Sequence, residues 1–141
     1  MVLGYALVLT ASMLFGLIYA IDQGILKKYS PGTILVLSSI VTFTVNFILS
    51  NKKEIVEIAE DYKSLALVAF GAFLGTIATR LTLHSIQMIG AARSSIVEIT
   101  YPVFVCLFCY VLYRETLDYK FAIGASLIII GTIVVMQSSI K

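Results

Sequence analysis

Residues 64–113 read SLALVAFGAFLGTIATRLTLHSIQMIGAARSSIVEITYPVFVCLFCYVLY. The stretch is apolar for most of its length and carries one strong turn signal, Gly90. Crossing the hydrocarbon core of a bilayer takes about 20 apolar residues. The stretch therefore predicts two membrane-spanning helices, 64–88 and 91–113, folded back on each other at Gly90. So short a connection makes the two helices an antiparallel hairpin.

Three further segments of the same kind lie outward from this hairpin, at 2–26, 31–49 and 119–138. The predicted fold class is thus an all-α membrane protein, with residues 1–141 forming a single five-helix transmembrane domain. Pro31 opens the second span, where its missing N–H costs nothing. Composition agrees: 60% of residues are hydrophobic and 13% charged, and the mean hydropathy is +1.01. Soluble domains carry about a quarter charged residues. The net charge of +2 is small and the basic residues are scattered, which argues against a nucleic-acid partner. Met1 is followed at once by apolar residues with no basic flank, so the first segment reads as a span rather than a cleavable signal.

The one long polar stretch, 51–63, holds Ile55, Ile58, Ala59 and Tyr62 at helical spacing between Lys and Glu. That pattern predicts a short amphipathic helix on the membrane surface. Tyr29, Tyr62, Tyr113 and Tyr119 stand at span ends and supply an interfacial belt in a chain without Trp. Gly16 and Ala20, Gly71 and Gly75, and Gly124 and Gly131 put small residues on single helix faces, where backbones can approach closely. With five spans the termini fall on opposite sides. Lys52, Lys53, Lys63, Arg114 and Lys120 share a side with the N-terminus, against Lys27, Lys28 and Lys141 on the other. Five against three favours a cytoplasmic N-terminus, here at the cell (inner) membrane, by a bias small enough to permit insertion both ways.

Ionisable residues inside spans are costly and mark pathways or pairs. Arg80 lies ten residues before Gly90 and Glu98 eight after it, so both are expected roughly 12–15 Å from the turn. The two are expected to pair or to face one cavity. His84 shares the face of Arg80, and Arg93, Ser94 and Ser95 continue the stripe nearer the turn. Two readings stand: an ion pair that pins two helices, or a polar pathway for a solute or proton. Tyr101 and Pro102 extend the candidate pathway, because Pro102 frees the carbonyl of Glu98. A kink that only shapes packing is the competing reading. Asp22 and Gln23 read as a solvated helix end. Cys106 and Cys109 read as small buried hydrophobes, since one histidine in another segment cannot complete a metal site. No metal, cofactor or catalytic constellation is expected.

Residues Leu83 and Ile89-Gly90-Ala91-Ala92-Arg93-Ser94-Ser95, with Tyr101-Pro102-Val103-Phe104 and Tyr113-Arg114-Glu115-Thr116-Leu117, form an ordered pattern of small and apolar positions. Gly124, Leu127, Ile128 and Gly131 continue it. The pattern resembles the EamA-type repeat of the drug/metabolite transporter superfamily, closely over residues 65–136. Over the first two spans it does so loosely, through Phe15-Gly16 and the Lys28–Pro31 connection. Pro102 and Glu115 match family positions. Arg80, His84 and Glu98 match no family motif, and their roles rest on the residue-level reading alone.

The resemblance implies a secondary transporter of a small metabolite or drug-like solute, often proton-coupled. It also implies that one five-helix copy is half of an inverted-repeat transporter, with an antiparallel homodimer as one way to complete it. Two other classes stay open: an accessory or structural membrane subunit acting with a partner chain, and a flippase of a lipid-linked substrate.

Overall fold

The computed structural model describes residues 2–114 and 118–137, and these form helices joined by short turns, with no strand among them. In chain order they are α1 (Val2–Ile25), α2 (Pro31–Leu49), α3 (Lys52–Glu60), α4 (Tyr62–Ile89), α5 (Ala91–Glu98), α6 (Tyr101–Tyr113) and α7 (Tyr119–Gln137). Five segments are long and apolar enough to cross a bilayer: α1, α2, α4, α5 with α6 taken together, and α7. Glu115, Thr116, Leu117, Ser138 and Lys141 lie outside the described residues.

Local chemistry sets the helix ends. Ser30 caps α2, its Oγ accepting from the Thr33 N–H at 3.4 Å, and Pro31 follows at the first helical position. Asn51 starts α3 by accepting from the Lys53 N–H at 3.1 Å. Asp61 does the same for α4 through the Lys63 N–H at 3.1 Å, and its carboxylate also accepts from the Ser64 hydroxyl. The Ser64 bond, and then the Lys63 bond, hold the Asp61 carboxyl below the usual carboxylate range. This cap is therefore present above the pH at which a free aspartate titrates, and it is lost as pH falls through the lowered value.

The fourth span, Ala91–Tyr113, was expected to be interrupted at Pro102, and it consists of two helices. Pro102 has no N–H to give the Glu98 carbonyl. The chain tightens there: the Thr100 N–H and the Thr100 hydroxyl both donate to the Val97 carbonyl, at 3.1 and 2.8 Å. A single turn at Ile99–Thr100 results, separating α5 from α6.

Packing is concentrated at one end. Leu26 (3% exposed), Leu83 (4%), Ile86 (2%) and Ala91 form the buried cluster, with Tyr19, Ile34 and Leu35 against it. All of them belong to the end where α1 hands over to α2 and α4 to α5. At the other end the described helices leave their apolar faces exposed. The glycines of the small-residue faces make no close packing contact among the described residues. A Cβ added at Gly16, Gly71, Gly75, Gly124 or Gly131 would meet nothing within 4 Å.

Gly90 turns the hairpin with φ +85° and ψ 158°, a region that essentially only glycine occupies. A Cβ there would meet only the Gln23 Oε1, at 3.7 Å, so the constraint is the backbone itself. Gly90→Ala is expected to destabilise the protein by about 1–3 kcal/mol, seen as a lower Tm in detergent. Gly124→Ala, a change in open helical space, should leave Tm in place. Equal Tm values for the two variants would contradict the assignment.

Candidate functional site

The chemistry around Gly90 is built from four helices, α1, α4, α5 and α7. Gly90 precedes α5 and has no side chain with which to cap it. Gln23 of α1 supplies the cap instead, its Oε1 accepting from the Ala91 N–H at 2.7 Å. Gln87 of α4 returns the connection, donating from Nε2 to the Leu26 carbonyl at 3.1 Å. The Ser85 and Ser94 hydroxyls join α4 to α5 at 2.8 Å. Thr132 of α7 donates to the Ile96 carbonyl at 3.4 Å and to Ile128 at 2.9 Å. Gln23 was read as part of a solvated helix end; it is exposed there, and it also ties α1 to the hairpin. An amide in an apolar run, opposite a helix that begins on a bare glycine, was the available signal.

Glu98 finds its partner in the first span. The Tyr19 hydroxyl donates to Glu98 Oε2, and Thr82 and Asp22 are the other polar neighbours of that phenol. Tyr19 was absent from the sequence-based candidates, because a tyrosine within an apolar helix carries no distinguishing pattern. Gly16, Tyr19, Ala20 and Gln23 face Ala91, Ala92 and Ser95 across a cleft of about 320 Å³ between α1 and α5.

Arg80 is not paired with Glu98. It faces α2, its Nη2 3.8 Å from where a Cβ of Gly32 would sit, and it lines a cleft with Ser30 and Thr33. The reason is rotation about the helix axis. Ser85 of α4 faces α5, and Arg80, five residues earlier, lies about 140° around the same helix. His84 is exposed and makes no hydrogen bond among the described residues. Arg93 is half-buried on α5. Tyr101 opens α6 and is exposed, with Pro102 half-buried beside it. The expected single stripe along the third and fourth spans is thus divided between two places, Glu98 against α1 and Arg80 against α2.

Depth is also revised. The 19 residues of α2 make about 28 Å of helix, matching the hydrocarbon core. The 28 residues of α4 make about 42 Å, so α4 overshoots. Arg80 lies beside the first turn of α2, near the boundary of the core rather than deep within it. Thr82, and with it the Tyr19–Glu98 contact, sits close to the same level. Beyond that level come the polar groups of the α1 end and the hairpin.

The sequence profile of the EamA-like transporter family matches residues 2–137. No curated protein and no solved structure matches the chain.

Proposed function

The chain belongs to the EamA-like transporter family, and from that premise we propose that it is a secondary transporter of a small metabolite or drug-like solute, working by alternating access as an antiparallel homodimer. One observation carries the reading: the five-helix unit is packed at one end and open at the other. Alternating access needs two gates, and inverted repeats give each half one of them. The cluster around Leu26, Leu83, Ile86 and Ala91, latched by Gln23–Ala91 and Tyr19–Glu98, serves as the single gate of this half. An inverted second copy supplies the other gate. The glycines of α1, α4 and α7, where an added Cβ would meet nothing within 4 Å, leave room for its close approach.

In this reading the break at Ile99–Thr100 is the hinge on which α6 moves relative to α5. Glu98, beside that hinge, is the residue that carries a coupled proton, with Arg80, His84, Arg93, Tyr101 and Pro102 along the path. The N-terminus is cytoplasmic in at least half of the copies, at the inner membrane.

A reporter fused after Lys141 tests the assembly. Signal from both sides of the membrane is expected, together with disulfide-trapped dimers when Gly71→Cys is introduced into a chain with Cys106→Ser and Cys109→Ser. Signal from one side only, with monomers alone trapped, would rule out the antiparallel homodimer.

A further inference from the structure

Opposite charges stand at the two ends of α2. Lys27 and Lys28 precede it. The short α3, which follows it across Ser50 and Asn51, carries Glu54, Glu57 and Glu60 at three-residue spacing along one face. Lys53 offsets one of the three carboxylates and leaves the face acidic. Lys52 is drawn off that face, its Nζ lying 5.9 Å from the centre of the Phe47 ring. Neither the two lysines nor the three carboxylates make an ion pair among the described residues, and all five side chains are exposed. The 19 residues of α2 make about 28 Å of helix, so the two sets cannot reach each other within one chain. We infer that a second, inverted copy docks along α2, and that the acidic face of α3 in each copy rests on the Lys27–Lys28 turn of its partner. This rests on the antiparallel homodimer proposed above, and it names the surface that makes it.

The middle of α2 supplies the rest of the surface. A two-fold axis in the membrane plane that exchanges the ends of α2 passes through its midpoint, at Ile40. Ser38, Ser39 and Thr42 surround that midpoint, and with Thr76 and Thr79 of α4 they line a cleft of about 430 Å³. All five are exposed. The Ser39, Thr76 and Thr79 hydroxyls donate to carbonyls of their own helices, at 2.7, 2.9 and 2.8 Å. Their oxygens keep lone pairs that hydrocarbon cannot use and the hydroxyls of a facing helix can. Gly75 lies in the same lining, and a Cβ there would meet nothing within 4 Å, so a second backbone can come close.

The area is sufficient. A compact chain of 15.4 kDa exposes about 7,200 Å², and this chain exposes 11665 Å². The surplus, about 4,500 Å², exceeds the roughly 1,000–2,500 Å² that each partner of an obligate dimer buries. Lipid tails cover an apolar surplus as well as protein does, but they do not answer charge. Anionic headgroups attract the lysines and repel α3. A parallel copy sets like charges against like at both ends of α2. Inversion pairs them, and because the contact is isologous it makes the pairing twice, once at each membrane face. A single exposed ion pair contributes little, so the repetition is what sets the orientation.

Cysteines placed at both contact points test the arrangement in membranes. In a Cys106→Ser, Cys109→Ser chain carrying Lys28→Cys and Glu57→Cys, mild oxidation is expected to trap dimers. A disulfide needs Cα atoms within about 7 Å, so these two positions at opposite ends of α2 cannot join within one chain. Either cysteine alone should trap none. Purified protein in detergent, where inverted copies re-pair whatever their insertion, gives the strength of the contact. Lys27→Glu with Lys28→Glu should raise the dimer Kd about tenfold, and Glu54→Lys with Glu57→Lys by a similar factor. All four together should restore it, since each copy then carries the exchanged pair. Dimers trapped by one cysteine alone, no dimers trapped by the two together, or a quadruple variant as weak as the lysine reversal overturn the inference. If a reporter after Lys141 still reads from both sides of the membrane, the antiparallel homodimer then stands with another interface. One-sided signal removes both.

Discussion

Tyr19→Phe is expected to loosen the gate, raising the rate at which a cysteine at position 95 reacts with a soluble thiol reagent by roughly tenfold or more. Ser95 lines the cleft between α1 and α5, and its hydroxyl is held by the Ala92 carbonyl at 3.0 Å. The Tyr19–Glu98 bond ties α1 to α5, as Gln23–Ala91 does. A hydrogen bond to a charged group contributes about 1.5–3 kcal/mol, and about 1.4 kcal/mol is a tenfold change in an equilibrium. If closure of this end depends on that bond, the open population rises accordingly. The measurement is made in Cys106→Ser, Cys109→Ser protein so that position 95 reports alone. Glu98→Ala should give an increase of similar size, and the Tyr19→Phe, Glu98→Ala double variant little more than either. Labelling unchanged in all three would remove the Tyr19–Glu98 contact from the gate, while leaving membership of the transporter family untouched.

The second large effect concerns stability. Ile86→Ala should cost about 2–4 kcal/mol, a fall in Tm of roughly 5–10 °C. Ile86 is only 2% exposed, and it packs among Leu26, Leu83 and Ala91 in the one buried cluster of the described residues. In lipid the cost is lost van der Waals contact rather than exposure to water, since lipid tails are as apolar as the side chain removed. Few other contacts are present to absorb the loss. Ile48→Ala makes the control: Ile48 is 74% exposed at the far end of α2, and its truncation should leave Tm unchanged. An equal fall for both would mean that the packing is spread over the whole bundle and not gathered at one end. The one-gate reading would then lose its support.

The two expectations address different parts of one arrangement. The Ile86 cluster is the mass that closes the end, and the Tyr19–Glu98 and Gln23–Ala91 bonds are the latches across it. Gln23 shows how such a latch arises. A helix that starts after glycine must find an acceptor for its first N–H elsewhere. The nearest free acceptor belongs to a side chain 68 positions earlier in the chain.

What the sequence determined by itself is one-dimensional. Whether a segment crosses a bilayer depends on the length and polarity of a contiguous run, and that can be counted along the chain. The five spans, the start of the second at Pro31 and the hairpin turn at Gly90 belong to this class, because each depends on residues within a few positions of one another. The break at Ile99–Thr100 was half legible: Pro102 announced a lost hydrogen bond, but not whether the helix would bend or stop. What only the tertiary structure decided is rotation and neighbourhood. Arg80 and Glu98 sit at matching distances from Gly90, yet one faces α2 and the other α1, because equal rise along two helices says nothing about azimuth. Tyr19 and Gln23 acquired their roles only when α1 was laid against α5. That placement follows from which faces can pack together in three dimensions, and no spacing along a single helix records it.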